Sequence, residues 1–182
     1  MDIVFVNDAA PVLFGPWTDP FVARFPAGTK IVGARLHPGL APSFLGIPAA
    51  ELLNQSAPLS ELWGSNGRAS DFLLMIQRLS RWNRYWPVAR AVDSTPPPDG
   101  AVVASIRWLA RHPHATVEEL SQWIGLSHRQ LRRRFSAAVG YGPKMFQSVC
   151  AFNDSLISQT DPLARPLSRI WPHLPDMPTR RT

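Results

Sequence analysis

Along the first third of the chain, apolar residues come in short runs broken by turn formers. Asp2–Val6 and Val12–Phe14 are brief apolar stretches, and Thr29–Leu36 is β-branched, alternating and bounded by glycines. Each predicts a strand. Gly15-Pro16, Pro26-Ala27-Gly28 and Pro38-Gly39 lie between them as turns. Pro48–Leu53 predicts a short helix opened by proline at its first turn. After the cap residue Ser70 the period lengthens: Phe72, Met75, Ile76, Leu79 and Trp82 fall on one stripe at helical spacing. That stripe predicts a helix through Asp71–Tyr85, limited by Pro87.

Asp93-Ser94-Thr95-Pro96-Pro97-Pro98-Asp99-Gly100 reads as a linker, stiffened by proline and without residues that pack. Beyond it the pattern is helical, over Ala101–Arg111, Val117–Ile124, Ser127–Val139 and Pro143–Leu156. From residue 158 the periodicity fails and prolines 162, 166, 172, 175 and 178 interrupt the chain, which predicts a disordered tail. The fold class expected is therefore α+β. A β-rich sensor-like unit (1–92) is followed by a linker (93–100), a helical region (101–157) and a tail (158–182).

Composition adds compartment and partner. The chain has 182 residues, 45% of them apolar, as in ordinary globular proteins. It lacks the run of ~20 apolar residues that a membrane-spanning helix needs. An acid at position 2, in place of the basic start of a secretory signal, and a single cysteine, Cys150, favour the cytoplasm. Charge is segregated. Residues 1–100 hold eight Lys/Arg against eight Asp/Glu, whereas residues 101–150 hold seven against two, a net of +5. A basic excess confined to fifty residues points to a polyanion, nucleic acid first. A solvated helix face is the plainer alternative.

The segment from Thr116 to Val139 makes that choice sharper. Thr116 followed by Glu119 is a capping box that opens a helix. Leu120 and Ile124 share one face, and Ser121 is small where a second helix must cross closely. Gly125 suits the left-handed turn at the helix end. Ser127 caps the next helix, in which Leu131 and Phe135 form the buried stripe, with Leu126 bracing the turn. Two short helices about a glycine turn make a helix-turn-helix, whose second helix fits the major groove of DNA. With Leu131 and Phe135 inward, Arg129, Arg132, Arg133 and Ser136 lie on the opposite face. Arg129, Arg132 and Arg133 stand at i, i+3 and i+4 and are the candidates for base contacts, because arginine matches guanine O6 and N7 bidentately. His128, Arg134, Ser136 and Lys144 are the candidates for phosphate contacts.

Gly125-Leu126-Ser127-x-Arg129-x-Leu131-x-Arg133-x-Phe135, followed by Gly140-x-x-Pro143-Lys144-x-Phe146, resembles the first half of an AraC/XylS-type DNA-binding domain over about residues 101–156. Val32-Gly33-Ala34-Arg35-Leu36-His37-Pro38-Gly39, Leu45-Gly46-Ile47-Pro48 and Pro58-Leu59-x-x-Leu62-Trp63-Gly64 resemble, more loosely, the β-rich domain that precedes such readers in one branch of the family. The resemblance implies a transcription regulator whose first recognition helix is the one carrying Arg129, Arg132 and Arg133. It also implies a second helix-turn-helix after a joining helix, the place of Pro143–Leu156, and no such unit follows in this sequence. Read one base out of frame, Leu167–Thr182 is compatible with the opening of that second unit: Trp171-Pro172 and Met177-Pro178 each force an alanine. Met1 opens directly on an apolar strand, so the start is expected to be clipped relative to such proteins.

Other chemistry has little support. Cys150 reads as a small buried apolar residue, and His112 and His114 lack partners at metal-ligand spacing, so no metal or cofactor is expected. No phosphate-binding loop, dinucleotide turn or nucleophile elbow occurs, so no enzyme activity is expected. Trp82, Tyr85 and Trp86 fit a ligand wall, a dimer contact or plain core packing. Three readings follow: a regulator that binds double-stranded DNA, with an effector and a homodimer compatible with it; a ligand-binding or oligomerising remnant without specific DNA binding; and an enzyme, which has no catalytic constellation. With a single reading unit, affinity is expected near the non-specific range of about 10⁻⁴–10⁻⁶ M.

Overall fold

A computed structural model describes residues 1–7, 9–19, 22–63 and 97–160. The predicted helix at Asp71–Tyr85, the start of the linker and the tail from 161 lie outside the described residues. What is described is α+β: an antiparallel sheet followed by helices. The strands are β1 (Asp2–Val6), β2 (Val12–Phe14), β3 (Ile31–Arg35) and β4 (Ser56–Pro58), in the order β3-β1-β2-β4. Because side chains alternate across a strand, register decides which residues meet. Ile3 pairs with Leu13 on one side and Ala34 on the other. All three are buried, and they form the cross-strand row of the first core.

The strands at Asp2–Val6 and Val12–Phe14 fall where the apolar runs predict them, and the third is shorter than Thr29–Leu36. The segment Pro48–Leu53 is a 3-10 turn, Ala49–Leu52, and not an α-helix. Three short elements had no sequence expectation: α1 (Ala41–Leu45), β4 and α2 (Leu59–Trp63). Strand β4 contains Pro58, which a sheet accepts only at an edge, and β4 is an edge.

Four helices complete the described chain: α3 (Gly100–Arg111), α4 (Val117–Ile124), α5 (His128–Val139) and α6 (Pro143–Thr160). Helix α6 runs beyond residue 157, so the expected tail boundary at 158 lies inside a helix. Leu120 from α4, Leu131 and Phe135 from α5, Phe146 from α6 and Val102 and Ile106 from α3 close a second core. Phe135 and Phe146 meet edge to face, with ring centroids 5.5 Å apart, a preferred aromatic geometry.

The two cores adjoin. Helix α1 and the 3-10 turn pack against α5. One close approach is at Gly140, the left-handed residue that ends α5 (φ +100). A Cβ placed there would lie 2.3 Å from Pro16 Cγ, so the β-rich unit abuts the end of α5 away from the arginines.

Gln147 on α6 ties the loop between α3 and α4 to the helical core. Its side chain is buried, and Nε2 donates to the carbonyl of Ala115 at 2.8 Å. Gln147→Leu keeps the volume but orphans that carbonyl. It should lower unfolding free energy by about 1–3 kcal/mol in urea melts. A loss below the error of the melt would mean that relief of Gln147 Oε1, which is buried without a hydrogen-bond partner among the described residues, offsets the bond lost at Ala115.

Candidate nucleic-acid interface

The arginine-bearing helix is placed by its caps. Thr116 and Glu119 exchange bonds at the start of α4: Glu119 N donates to Thr116 Oγ1 at 3.1 Å, and Thr116 N donates to Glu119 Oε2 at 2.7 Å. The hydrogen bonds from the Thr116 backbone N–H and hydroxyl hold the Glu119 carboxyl below its ordinary value. Gly125 takes the left-handed conformation (φ 72) that ends α4. Ser121, buried beneath this turn, donates its hydroxyl to the carbonyl of Leu126 and so closes it. Ser127 then opens α5 with a second capping box, Gln130 N donating to Ser127 Oγ at 3.3 Å and Ser127 N to Gln130 Oε1 at 3.0 Å. The serine cap was legible alone; its glutamine partner three residues on is the added signal.

With Leu131, Phe135, Ala138 and Val139 buried, α5 turns its other side outward. Arg129, Arg132 and Arg133 are exposed there. They line one concave surface together with His128, Ser136 and Lys144, the last from the first turn of α6. Six of the seven residues that the sequence nominates for contact thus converge on one face. Among the described residues, none of Arg129, Arg132, Arg133 and Lys144 has a carboxylate partner. His128 does: its Nε2 lies 3.3 Å from Glu118 Oε2, both side chains being well exposed. An unneutralised cationic hollow of this kind attracts phosphate oxygens and presents guanidinium forks to planar acceptors.

The seventh residue is placed differently. Arg134 lies outside the hollow and is held by Asp99, with Nε to Oδ2 and Nη2 to Oδ1 both 2.7 Å. A phosphate contact from Arg134 therefore has to compete with a bidentate carboxylate. The same Asp99 caps α3, accepting from Ala101 N at 3.0 Å and Val102 N at 3.3 Å. The segment 93–100, expected to pack against nothing, thus ends in a residue that packs against α5, and Gly100 already belongs to α3.

Partial burial pushes the Asp99 carboxyl up, but the Arg134 guanidinium and the two backbone N–H groups outweigh it and hold the carboxyl below its ordinary value. A folded pKa below the unfolded one means the stabilisation is complete above about pH 4 and lost as pH falls through the folded value. The stability gap between the parent chain and Asp99→Asn should therefore be widest near neutral pH and narrow on acidification, as read by thermal melts from pH 6 to pH 3. A gap that widens towards pH 3 would contradict this sign.

Among the described residues, no helix is long and apolar enough to cross a membrane. No curated protein and no solved structure matches the chain. Residues 1–58, which end with β4 at the last strand of the sheet, match the family model of a domain of unknown function, DUF6597.

Proposed function

We propose that the chain is a DNA-binding transcription regulator of the AraC type that acts in the cytoplasm. It would read the major groove with the helix Ser127–Val139 while residues 1–58 serve as a sensor-like partner. The observation that carries the reading is the convergence of Arg129, Arg132, Arg133, His128, Ser136 and Lys144 on one concave face free of carboxylates apart from Glu118 beside His128. Helices α4 and α5, joined through Gly125 and capped at both starts, form the helix-turn-helix. Helix α5 has 12 residues, about 18 Å along its axis, and a helix diameter of about 10–12 Å with side chains matches a major groove about 12 Å wide.

The recognition chemistry divides by reach. Arg129, Arg132 and Arg133 point their forks at base edges, where guanine offers two acceptors. His128, Ser136 and Lys144 border them and suit phosphates. Each phosphate neutralised releases a condensed counterion, so binding weakens as salt rises. Fluorescence anisotropy of a labelled random duplex, titrated with the full chain between 50 and 200 mM salt, tests this. We expect log–log slopes of roughly −1 to −3, for the one to three phosphates within reach of this face. A chain that fails to bind at the low-salt end, or binds independently of salt, would overturn the proposal.

A further inference from the structure

We infer that Asp99 is a positioning residue for base reading: through its bidentate bond to Arg134 it sets the rotation of α5, and with it the direction of Arg129, Arg132 and Arg133. The inference rests on the DNA-binding reading above and deepens it. One carboxylate makes four hydrogen bonds, two to the first turn of α3 and two to a guanidinium on α5. It therefore joins two helices that are 35 residues apart at this contact. The pair is partly shielded, with side-chain exposures of 39% for Arg134 and 27% for Asp99, where charge-assisted bidentate bonds are strong and geometrically selective.

Arg134 follows Arg133 directly on α5, so a restraint on the backbone at one bears on the azimuth from which the other leaves the helix. The buried stripe of Leu131, Phe135, Ala138 and Val139 seats α5 by apolar packing, which is not directional, and the Asp99 bond adds a directional restraint on the opposite flank. A turn of about 20° moves a group 5–6 Å from the axis by roughly 2 Å. That is enough to break hydrogen bonds whose working range is about 2.7–3.2 Å. Asp99 prevents that turn without touching DNA. It is also the last residue before α3, so it fastens the proline-rich segment to the recognition helix.

The opposing reading of the same residues gives the opposite result. If Arg134 is a phosphate contact restrained by Asp99, releasing it strengthens binding. The test uses the full chain, a duplex selected from a random library by the parent chain, and a scrambled duplex of equal length. Asp99→Asn keeps an oxygen to cap α3 but removes the charge that holds Arg134. Affinity for the selected duplex should fall by about threefold to thirtyfold. Affinity for the scrambled duplex and its salt slope should stay as in the parent. Arg134→Gln should do the same, and the double variant no more than either single.

Tighter binding of both duplexes by Asp99→Asn, with a steeper salt slope, would overturn the inference and make Arg134 a phosphate contact. Equal weakening on both duplexes would also overturn it, since that reports lost folding and not lost direction, as would no change on either. Failure of the parent chain to enrich any sequence is a different outcome, because it removes base reading itself.

Discussion

Replacing Phe135 by alanine is expected to cost about 3–5 kcal/mol of folding free energy. Phe135 is completely buried and stacks edge to face on Phe146. It sits on α5 between Leu131 and Ala138–Val139, all buried members of the second core. Truncation removes the ring's transfer energy and leaves a cavity that these neighbours cannot fill without moving α6. Against a total stability of about 5–15 kcal/mol for a natural domain, such a loss removes a large share of the folding margin. Urea unfolding followed by circular dichroism measures it. A loss below about 1 kcal/mol would mean that the ring is not a core element.

The second large effect is on binding and should leave stability alone. Arg132→Ala with Arg133→Ala removes two guanidinium forks from the exposed face of α5. Each correct fork contributes about 1–3 kcal/mol of discrimination. The double variant should therefore lose about 2–6 kcal/mol of preference for a selected duplex over a scrambled one. Its unfolding midpoint should barely move, since exposed substitutions fall within about 0.5 kcal/mol. A double variant that keeps its preference would show that other side chains carry specificity. One that unfolds would show that these arginines hold the helix in place.

Much of this site is legible in the sequence. Caps, glycine turn and buried stripe are local signals, each within about four residues, so the segment from Thr116 to Val139 carries its own instructions. The first two strands were equally local. What escaped depends on distance along the chain. Strand β4 has three residues, one of them Pro58, and exists only because β2 supplies its partners at Val12, Leu13 and Phe14. Helix α1 is five residues long and too short for any period to show. The proline-rich pattern of 93–100 puts Asp99 in a linker, although an aspartate ahead of Gly-Ala-Val-Val is a good helix cap. Its hold on Arg134 could not be read, because a run of three arginines does not reveal which one has a partner 35 residues away. The abutment of Gly140 and Pro16 was likewise invisible, since it joins two units with separate cores.

The Asp99–Arg134 pair alters how the basic run is understood. Arg132 and Arg133 face the hollow, while Arg134 is spent on architecture. Neighbouring arginines in one helix turn thus have different surroundings, decided by azimuth and not by composition. On the DNA-binding reading the basic excess would supply the attraction to a polyanion, and Arg134, held by Asp99, would contribute less of it.

Base reading by α5 in the major groove is most directly tested by dimethyl sulfate protection, which reports guanine N7 on that groove floor. On a duplex selected by the parent chain, protection should appear at one short cluster of guanines, and Arg132→Ala or Arg133→Ala should abolish it while the protein stays folded. Guanines left fully reactive under saturating protein, or protection that persists in both variants, would contradict major-groove reading by this helix.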